Sequence, residues 1–219
     1  MQNIHNMDWR EGIVNIADKS VDLVLSDPPY GMSYQSNMRK NKHEKIKDDD
    51  NLDWLPHWLS EMKRVCKDNA HLYIFCSWHK VDVFKQEVEK HFRLKNILIW
   101  EKNNGGMGDL EGDYAPRYEM VLFCSNGERK LNGRRDDNIL KSPKTQNEYH
   151  PTEKPVDLFS YLIEKSTEEG DLVLDTFGGS CVTAVACRQK KRRAEVFEIE
   201  EKYCHAGRVR LSGTSESLF

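Results

Sequence analysis

The chain has 219 residues, enough for one domain or for one domain carrying a long insertion. Its 33 Lys and Arg against 36 Asp and Glu leave a net charge of −3, which excludes a uniformly basic nucleic-acid coat; any DNA contact has to come from local patches. With 38% apolar residues and a mean hydropathy of −0.76, no apolar run approaches the ~20 residues that span a bilayer, and no signal-peptide pattern opens the chain, so a cytoplasmic protein with no membrane partner is predicted.

In chain order, helical periodicity over residues 9–17 precedes an apolar strand over 21–26. A polar stretch over 31–52 follows, holding Arg39, Lys40, Lys42, Lys45 and Lys47 and then the acidic run 48–50. The pattern next predicts a helix over 52–67, a strand over 71–77, a helix over 80–91 and strands over 94–100 and 118–124. A second polar stretch, 126–150, carries Arg129, Lys130, Arg134, Arg135, Lys141 and Lys144. The helix predicted over 155–166 has Pro155 at its first position, Leu158, Phe159, Leu162 and Ile163 on one face, and Gly170 shortly past its end. A strand over 171–175, a helix over 181–189, a strand over 194–199 and a helix over 202–211 complete the chain. Strands alternating with helices predict an open, mostly parallel α/β sheet. Polar loops as long as 31–52 and 126–150 are usually functional or disordered, and both offer phosphate contacts. The run 188–193, rich in Lys and Arg, reads as a solvated helix end. The six cysteines are scattered with no CxxC pair, as expected of reduced core residues, and no metal site is predicted.

Three segments carry chemistry. Asp27-Pro28-Pro29-Tyr30 follows the first predicted strand, where ligands sit in an open α/β sheet. Its carboxylate and a rigid outward carbonyl make an acceptor pair for a planar NH₂ group, and the tyrosine offers a flat face for stacking; a strand ending in a plain proline turn would look the same. Asp175-Thr176-Phe177-Gly178-Gly179-Ser180 lies between a strand and a helix, the arrangement in which backbone approaches a ligand closely beneath a helix N-terminus. The next strand ends near Glu198 and Glu200, where an acidic side chain binds ribose hydroxyls in nucleoside-cofactor folds. The third segment, His150-Pro151-Thr152-Glu153-Lys154-Pro155, reads by itself as a helix entry.

Taken together, the three resemble the amino-methyltransferases that modify exocyclic amines in DNA, in which DPPY is catalytic and a DxFxGSGTT-like loop binds S-adenosylmethionine. With the catalytic motif first and the cofactor motif last, the order is similar to the permuted beta group, over about residues 8–211. The resemblance implies a Rossmann-like sheet of the S-adenosylmethionine-dependent methyltransferase type in circularly permuted order. It also implies a single domain over 1–219, with a catalytic half at about 1–101, a target-recognition segment at about 102–149 and a cofactor-binding half at about 150–211. Asp27, Pro28, Pro29 and Tyr30 are then the catalytic residues. Cofactor contacts fall on Asp8, Thr152, Lys154, Asp175, Phe177, Gly179, Ser180, Thr183 and Glu200, with Thr152 and Lys154 reaching the carboxylate end and Glu200 the ribose; an N-cap role for Asp8 is the alternative. Arg39, Lys40, Lys42, Arg134 and Arg135 are the expected phosphate contacts. The implied partners are double-stranded DNA, a second copy of the chain, since the beta group often dimerises, and a cognate restriction endonuclease. Asp at the first motif position is typical of enzymes acting on adenine N6, and Ser of those acting on cytosine N4. The chain departs from the family at Cys181 and Val182, which stand where Gly and Thr are usual; the cysteine fits if its φ is negative.

Overall fold

The structure, a computed structural model, describes residues 1–31, 51–105, 111–145 and 153–213. Its elements are β1 (Gln2–Asn6), α1 (Trp9–Gly12), β2 (Val21–Ser26), α2 (Leu55–Val65), β3 (Cys66–Cys76), α3 (Val81–Val88), β4 (Arg93–Glu101), β5 (Tyr118–Ser125), β6 (Ile139–Lys141), α4 (Val156–Ser166), β7 (Leu172–Asp175), α5 (Val182–Gln189), β8 (Arg193–Glu198) and α6 (Glu201–Gly213). The eight strands form one sheet in the order β1-β8-β7-β2-β3-β5-β4-β6. All neighbours are parallel except β5, which runs antiparallel to both β3 and β4. The mostly parallel sheet expected from the alternation is therefore the one found.

Side chains alternate across this sheet with the period of a strand. Leu23 and Leu25 of β2 enter one core with Tyr73 and Phe75 of β3, while Val24, Leu72 and Ile74 enter the other. The second core is closed by Trp54 and by Trp58, Leu59 and Met62 of α2, with Phe84 of α3. The first is closed by Phe159, Leu162 and Ile163 of α4 and Val182 and Ala186 of α5. Burial at about 25 cal/mol per Å² of apolar surface makes these two layers the main source of stability.

Several expectations are corrected. Helix α1 stops at Gly12 and continues only as a single 3₁₀ turn over Ile13–Asn15; Gly12 packs against β8, where a Cβ would lie 2.1 Å from the Phe197 ring. Strands β1 and β6 were not predicted. The stretch 126–150 is not a free loop over its described part: it supplies β6, and Asn132 donates to the carbonyls of Glu164 and Thr167 at 2.9 Å. Nor is the basic run 188–193 simply solvated. Arg192 is buried, donating from Nε to Thr167 Oγ1 at 3.0 Å and from NH2 to Thr167 O at 2.6 Å, which bolts the end of α4 to the start of β8. Most of the stretch 31–52 lies outside the described residues.

The amino-terminal edge of the sheet is pinned by polar groups. Asp22 pairs with Lys67 at 2.7 Å, and Arg129 pairs with Asp171 at 3.1 Å. His71 sits between Ser166 Oγ at 2.9 Å and the Arg129 carbonyl at 3.1 Å, and burial pushes its pKa down to about 4, so it is neutral in the folded protein.

Candidate active site

Strands β2 and β7 are parallel neighbours, with Leu23 opposite Val173 and Val24 opposite Leu174, so their carboxyl ends open on the same edge. The sheet order turns back here: β2 leads to β3 on one side and β7 to β8 on the other, the switch point at which open α/β sheets hold ligands. Ser26, the last residue of β2, locks the two ends together, donating from Oγ to Asp175 Oδ1 at 3.2 Å and accepting from the Thr176 amide at 3.2 Å. Asp27-Pro28-Pro29-Tyr30 and the glycine loop therefore stand side by side.

On the β7 side, Asp175 is buried. It accepts hydrogen bonds from Ser26, from the Phe177 amide at 3.1 Å and from Thr183 Oγ1. Burial pushes its pKa up to about 7 against the pull of these donors. Gly178 passes so close to β8 that a Cβ would lie 2.5 Å from Val196, and Gly179 has a φ of 50°. The Gly179 amide donates to Glu198 Oε2 at 2.6 Å, and the Glu200 amide donates to Glu198 Oε1 at 2.8 Å. Burial holds the Glu198 carboxyl above its ordinary range. Phe177 packs beside Trp54 and Trp58, and the Trp58 indole N–H donates to Thr176 Oγ1 at 2.8 Å. Arg210 of α6 donates to the Ser180 carbonyl and hydroxyl, both at 2.9 Å, and pairs with buried Glu153 at 3.1 Å.

On the β2 side a buried set of charges gathers from four elements. Asp27 Oδ1 accepts from the Tyr30 hydroxyl, and Asp27 Oδ2 is 2.6 Å from Lys154 Nζ. Lys154 lies 3.1 Å from Glu119 Oε2, and Lys102 lies 2.6 Å from Glu119 Oε1. Glu119 comes from β5, Lys102 follows β4 and Lys154 precedes α4. Burial raises the Asp27 carboxyl, with Glu119 adding to it and Lys154 opposing. Burial would also raise Glu119, but Lys154 and Lys102 bring it below its usual value. Lys154, which burial alone would lower, is lifted by the two carboxylates.

Of the expected site residues, Asp27, Tyr30, Asp175, Phe177, Gly179, Ser180 and Thr183 are gathered at this edge. Others are not. Asp8 is the N-cap of α1, accepting from the Arg10 amide at 2.8 Å and pairing with the Arg10 guanidinium at 2.8 Å. Lys154 meets the carboxylates of Asp27 and Glu119. Glu200 is exposed and starts α6 with its carbonyl; Glu198, two residues earlier and in phase with Ala194 and Val196, is the acid that faces the loop. Arg134 and Arg135 leave the chain before the amino end of β6. The Arg134 carbonyl accepts from Lys165 near the carboxyl end of α4, and both arginines line a groove between β6 and α4 with Ser142, Asp157 and Leu158. Cys181 has a φ of 55°, not a negative one; its side chain takes the space left by Gly207, where a Cβ would lie 2.6 Å from that of Cys181. Arg39, Lys40, Lys42 and Thr152 lie outside the described residues. Among the described residues no group of three or more His, Cys, Asp or Glu could hold a metal ion, and no helix is long and apolar enough to cross a membrane.

Sequence reasoning missed Glu119, Lys102 and Arg210. Glu119 was detectable: it is in phase with Val121 and Phe123, on the face of β5 that enters the core.

The doubly wound sheet with an acid-Pro-Pro-Tyr turn and a glycine loop at its switch point defines an α/β methyltransferase. The model of the DNA methylase family that covers N6 and N4 amines matches residues 21–208, and the chain belongs to that family. It is 28% identical to the DNA adenine methyltransferase YhdJ of Escherichia coli (strain K12), over 91% of this chain and 79% of that one. The M1.HpyAVI complex with S-adenosylmethionine has a TM-score of 0.74 at 25% identity, over 96% of this chain and all of the other. PvuII DNA methyltransferase, a cytosine-N4-specific enzyme, shares the fold at a TM-score of 0.80 and 19% identity, over 95% of this chain and 86% of that one.

Proposed function

We propose that this DNA methyltransferase transfers the methyl group of S-adenosylmethionine to N6 of an adenine flipped out of double-stranded DNA. The observation that carries the reading is the Ser26–Asp175–Thr176 lock, which sets Asp27 and the glycine loop on one edge. Asp at the first motif position and the relative named as an adenine methyltransferase favour adenine over cytosine N4.

The residues fit the cofactor. Gly178 lets the loop lie against β8, Gly179 takes a φ of 50°, the α5 N-terminus follows, and Glu198 rather than Glu200 is our candidate for the ribose hydroxyls. S-Adenosylmethionine supplies an electrophilic methyl on a sulfonium. Adenine's amine is a weak nucleophile because its lone pair is delocalised into the ring. Asp27 and the Pro28 carbonyl accept its two N–H bonds, which builds electron density on nitrogen and favours a pyramidal geometry. The Tyr30 hydroxyl fixes the Asp27 carboxylate, and its ring stacks on the flipped base. Holding both reactants at one switch point turns a bimolecular encounter into a local one. Pro29 stiffens the turn that aims these groups. The segment at about 102–149 serves target recognition, with phosphate contacts from Arg39, Lys40 and Lys42. Relatives named as type II methyltransferases support a restriction endonuclease partner.

The test is labelled-methyl transfer to unmethylated double-stranded DNA, with mass spectrometry of the digested nucleosides and Asp27→Ala in parallel. N6-methyladenine is expected, falling at least about 100-fold in the variant. N4-methylcytosine would overturn the adenine assignment, and an unaffected variant would overturn the role of Asp27.

A further inference from the structure

Asp27 does not stand alone at the carboxyl end of β2. Lys154 Nζ stands 2.6 Å from its free oxygen, almost fully buried, with the Phe75 ring centroid 5.3 Å away. A lysine that only neutralised Asp27 would need no second carboxylate. Here one is supplied by Glu119, itself held by Lys102 at 2.6 Å. Two acids and two lysines balance, so Lys154 need not leave when a neutral base enters. Its ammonium has three protons, and its partners among the described residues are two carboxylates, so one donor remains for a ligand.

An acceptor beside a donor matches one kind of base edge. Adenine presents an amine next to the acceptor N1, and cytosine an amine next to the acceptor N3. Guanine and thymine present the reverse, a carbonyl next to a ring N–H, and would set their oxygen against the Asp27 carboxylate. We propose that Lys154 is a specificity-determining residue that donates a hydrogen bond to the ring nitrogen adjacent to the amine accepted by Asp27, with Glu119 and Lys102 positioning it. This rests on the reading of Asp27 as the amine acceptor. Outright protonation of the ring nitrogen would deactivate the amine; the two carboxylates keep the proton on Lys154, so the ring nitrogen receives only a hydrogen bond.

The experiment uses the full chain and a duplex carrying the methylated sequence mapped on plasmid DNA. The target position holds adenine, 1-deazaadenine, which lacks the ring nitrogen beside the amine, or 7-deazaadenine as a control. It is placed opposite an abasic site, so that lost base pairing does not itself ease flipping. The wild type is expected to methylate adenine and 7-deazaadenine alike, and 1-deazaadenine about 10- to 100-fold less by kcat/KM. Lys154→Met is expected to lower kcat/KM for adenine and bring the adenine to 1-deazaadenine ratio near unity. If that variant does not fold, Lys154→Arg keeps the charge while displacing the donor, and a reduced ratio is expected. Wild-type indifference to the ring nitrogen overturns the proposal, as does a lysine variant that keeps the full ratio. Asp27→Ala on adenine separates the two readings: an active variant defeats the amine-acceptor role itself, whatever the lysine variants do.

Discussion

The two sides of the switch point are built from different kinds of bond. Around β7 and β8 the acids are held by neutral donors that are mostly close in sequence. Asp175 is held by Ser26, Thr183 and the Phe177 amide, and Glu198 by the amides of Gly179 and Glu200. Around β2 the acids are held by ammonium groups brought in from distant elements, Lys154 on Asp27 and Lys102 on Glu119. At Asp175 the first arrangement tolerates a change of charge, because the Ser26 and Thr183 hydroxyls can turn to donate or accept. The second does not, because removing one partner strands a buried ion.

The strongest way to break that contrast is Glu119→Ala, which leaves both lysines without this carboxylate. A loss of about 3–5 kcal/mol in urea unfolding is expected, with Glu119→Gln losing less. Asp175→Asn tests the other side. Burial raises the folded pKa of Asp175 from 3.8 to about 7, so between those values the folded state holds a proton that the unfolded state has lost. Wild-type stability should therefore carry a component that falls as pH rises from about 4 to 7. At about 1.4 kcal/mol per unit over about 3 units it amounts to about 4 kcal/mol, and Asp175→Asn should remove it while keeping the fold. Unfolding curves at several pH values, compared between wild type and variant, read this directly; equal pH slopes would show that the hydrogen bonds keep the carboxylate ionised. The smallest effect is expected at Cys181. Cys181→Gly relieves a left-handed φ but loses packing on Gly207, and should stay within about 1 kcal/mol of wild type. Gly207→Ala alone should cost about 1–3 kcal/mol, and thermal unfolding of the double variant should show the loss recovered.

The same contrast explains what could be read from the sequence. Strand β2 is recovered with its bounds, and β3, β4, β5, β7 and β8 each overlap an apolar run recognised by pattern. Strands β1 and β6 escape: one is the polar Gln2-Asn3-Ile4-His5-Asn6 at a sheet edge, the other three residues long. The glycine loop is legible because its chemistry is local, a strand, two glycines and a helix in succession. The charge set is not, since Glu119 and Lys154 are 35 positions apart and meet only when β5 and the entry to α4 converge on β2. Which acid faces the glycine loop is not legible, because it depends on where β8 stops. Glu198 and Glu200 share the phase of Ala194 and Val196, but β8 ends at Glu198 and Glu200 falls in the turn before α6. Composition alone does not say where Arg134 and Arg135 stand, because basic residues of one loop can leave the sheet at either edge; the fold puts them beside a groove between β6 and α4.

The pairing of β1 with β8 has a consequence for how the molecule is made. Gln2 lies opposite Ala194 and Asn6 opposite Glu198, and the Met7 amide donates to the Glu198 carbonyl at 3.0 Å. Contacts between such distant residues form late, because a long loop must close before they contribute. On a ribosome the strands from β2 to β5 emerge and can pair while the last third of the chain is still unsynthesised. Strand β8, which carries the acid facing the glycine loop, comes after nearly all else. A nascent chain can thus assemble the Asp27 side of the switch point well before the glycine loop gains its Glu198 partner, and the edge is complete only when the last strand docks.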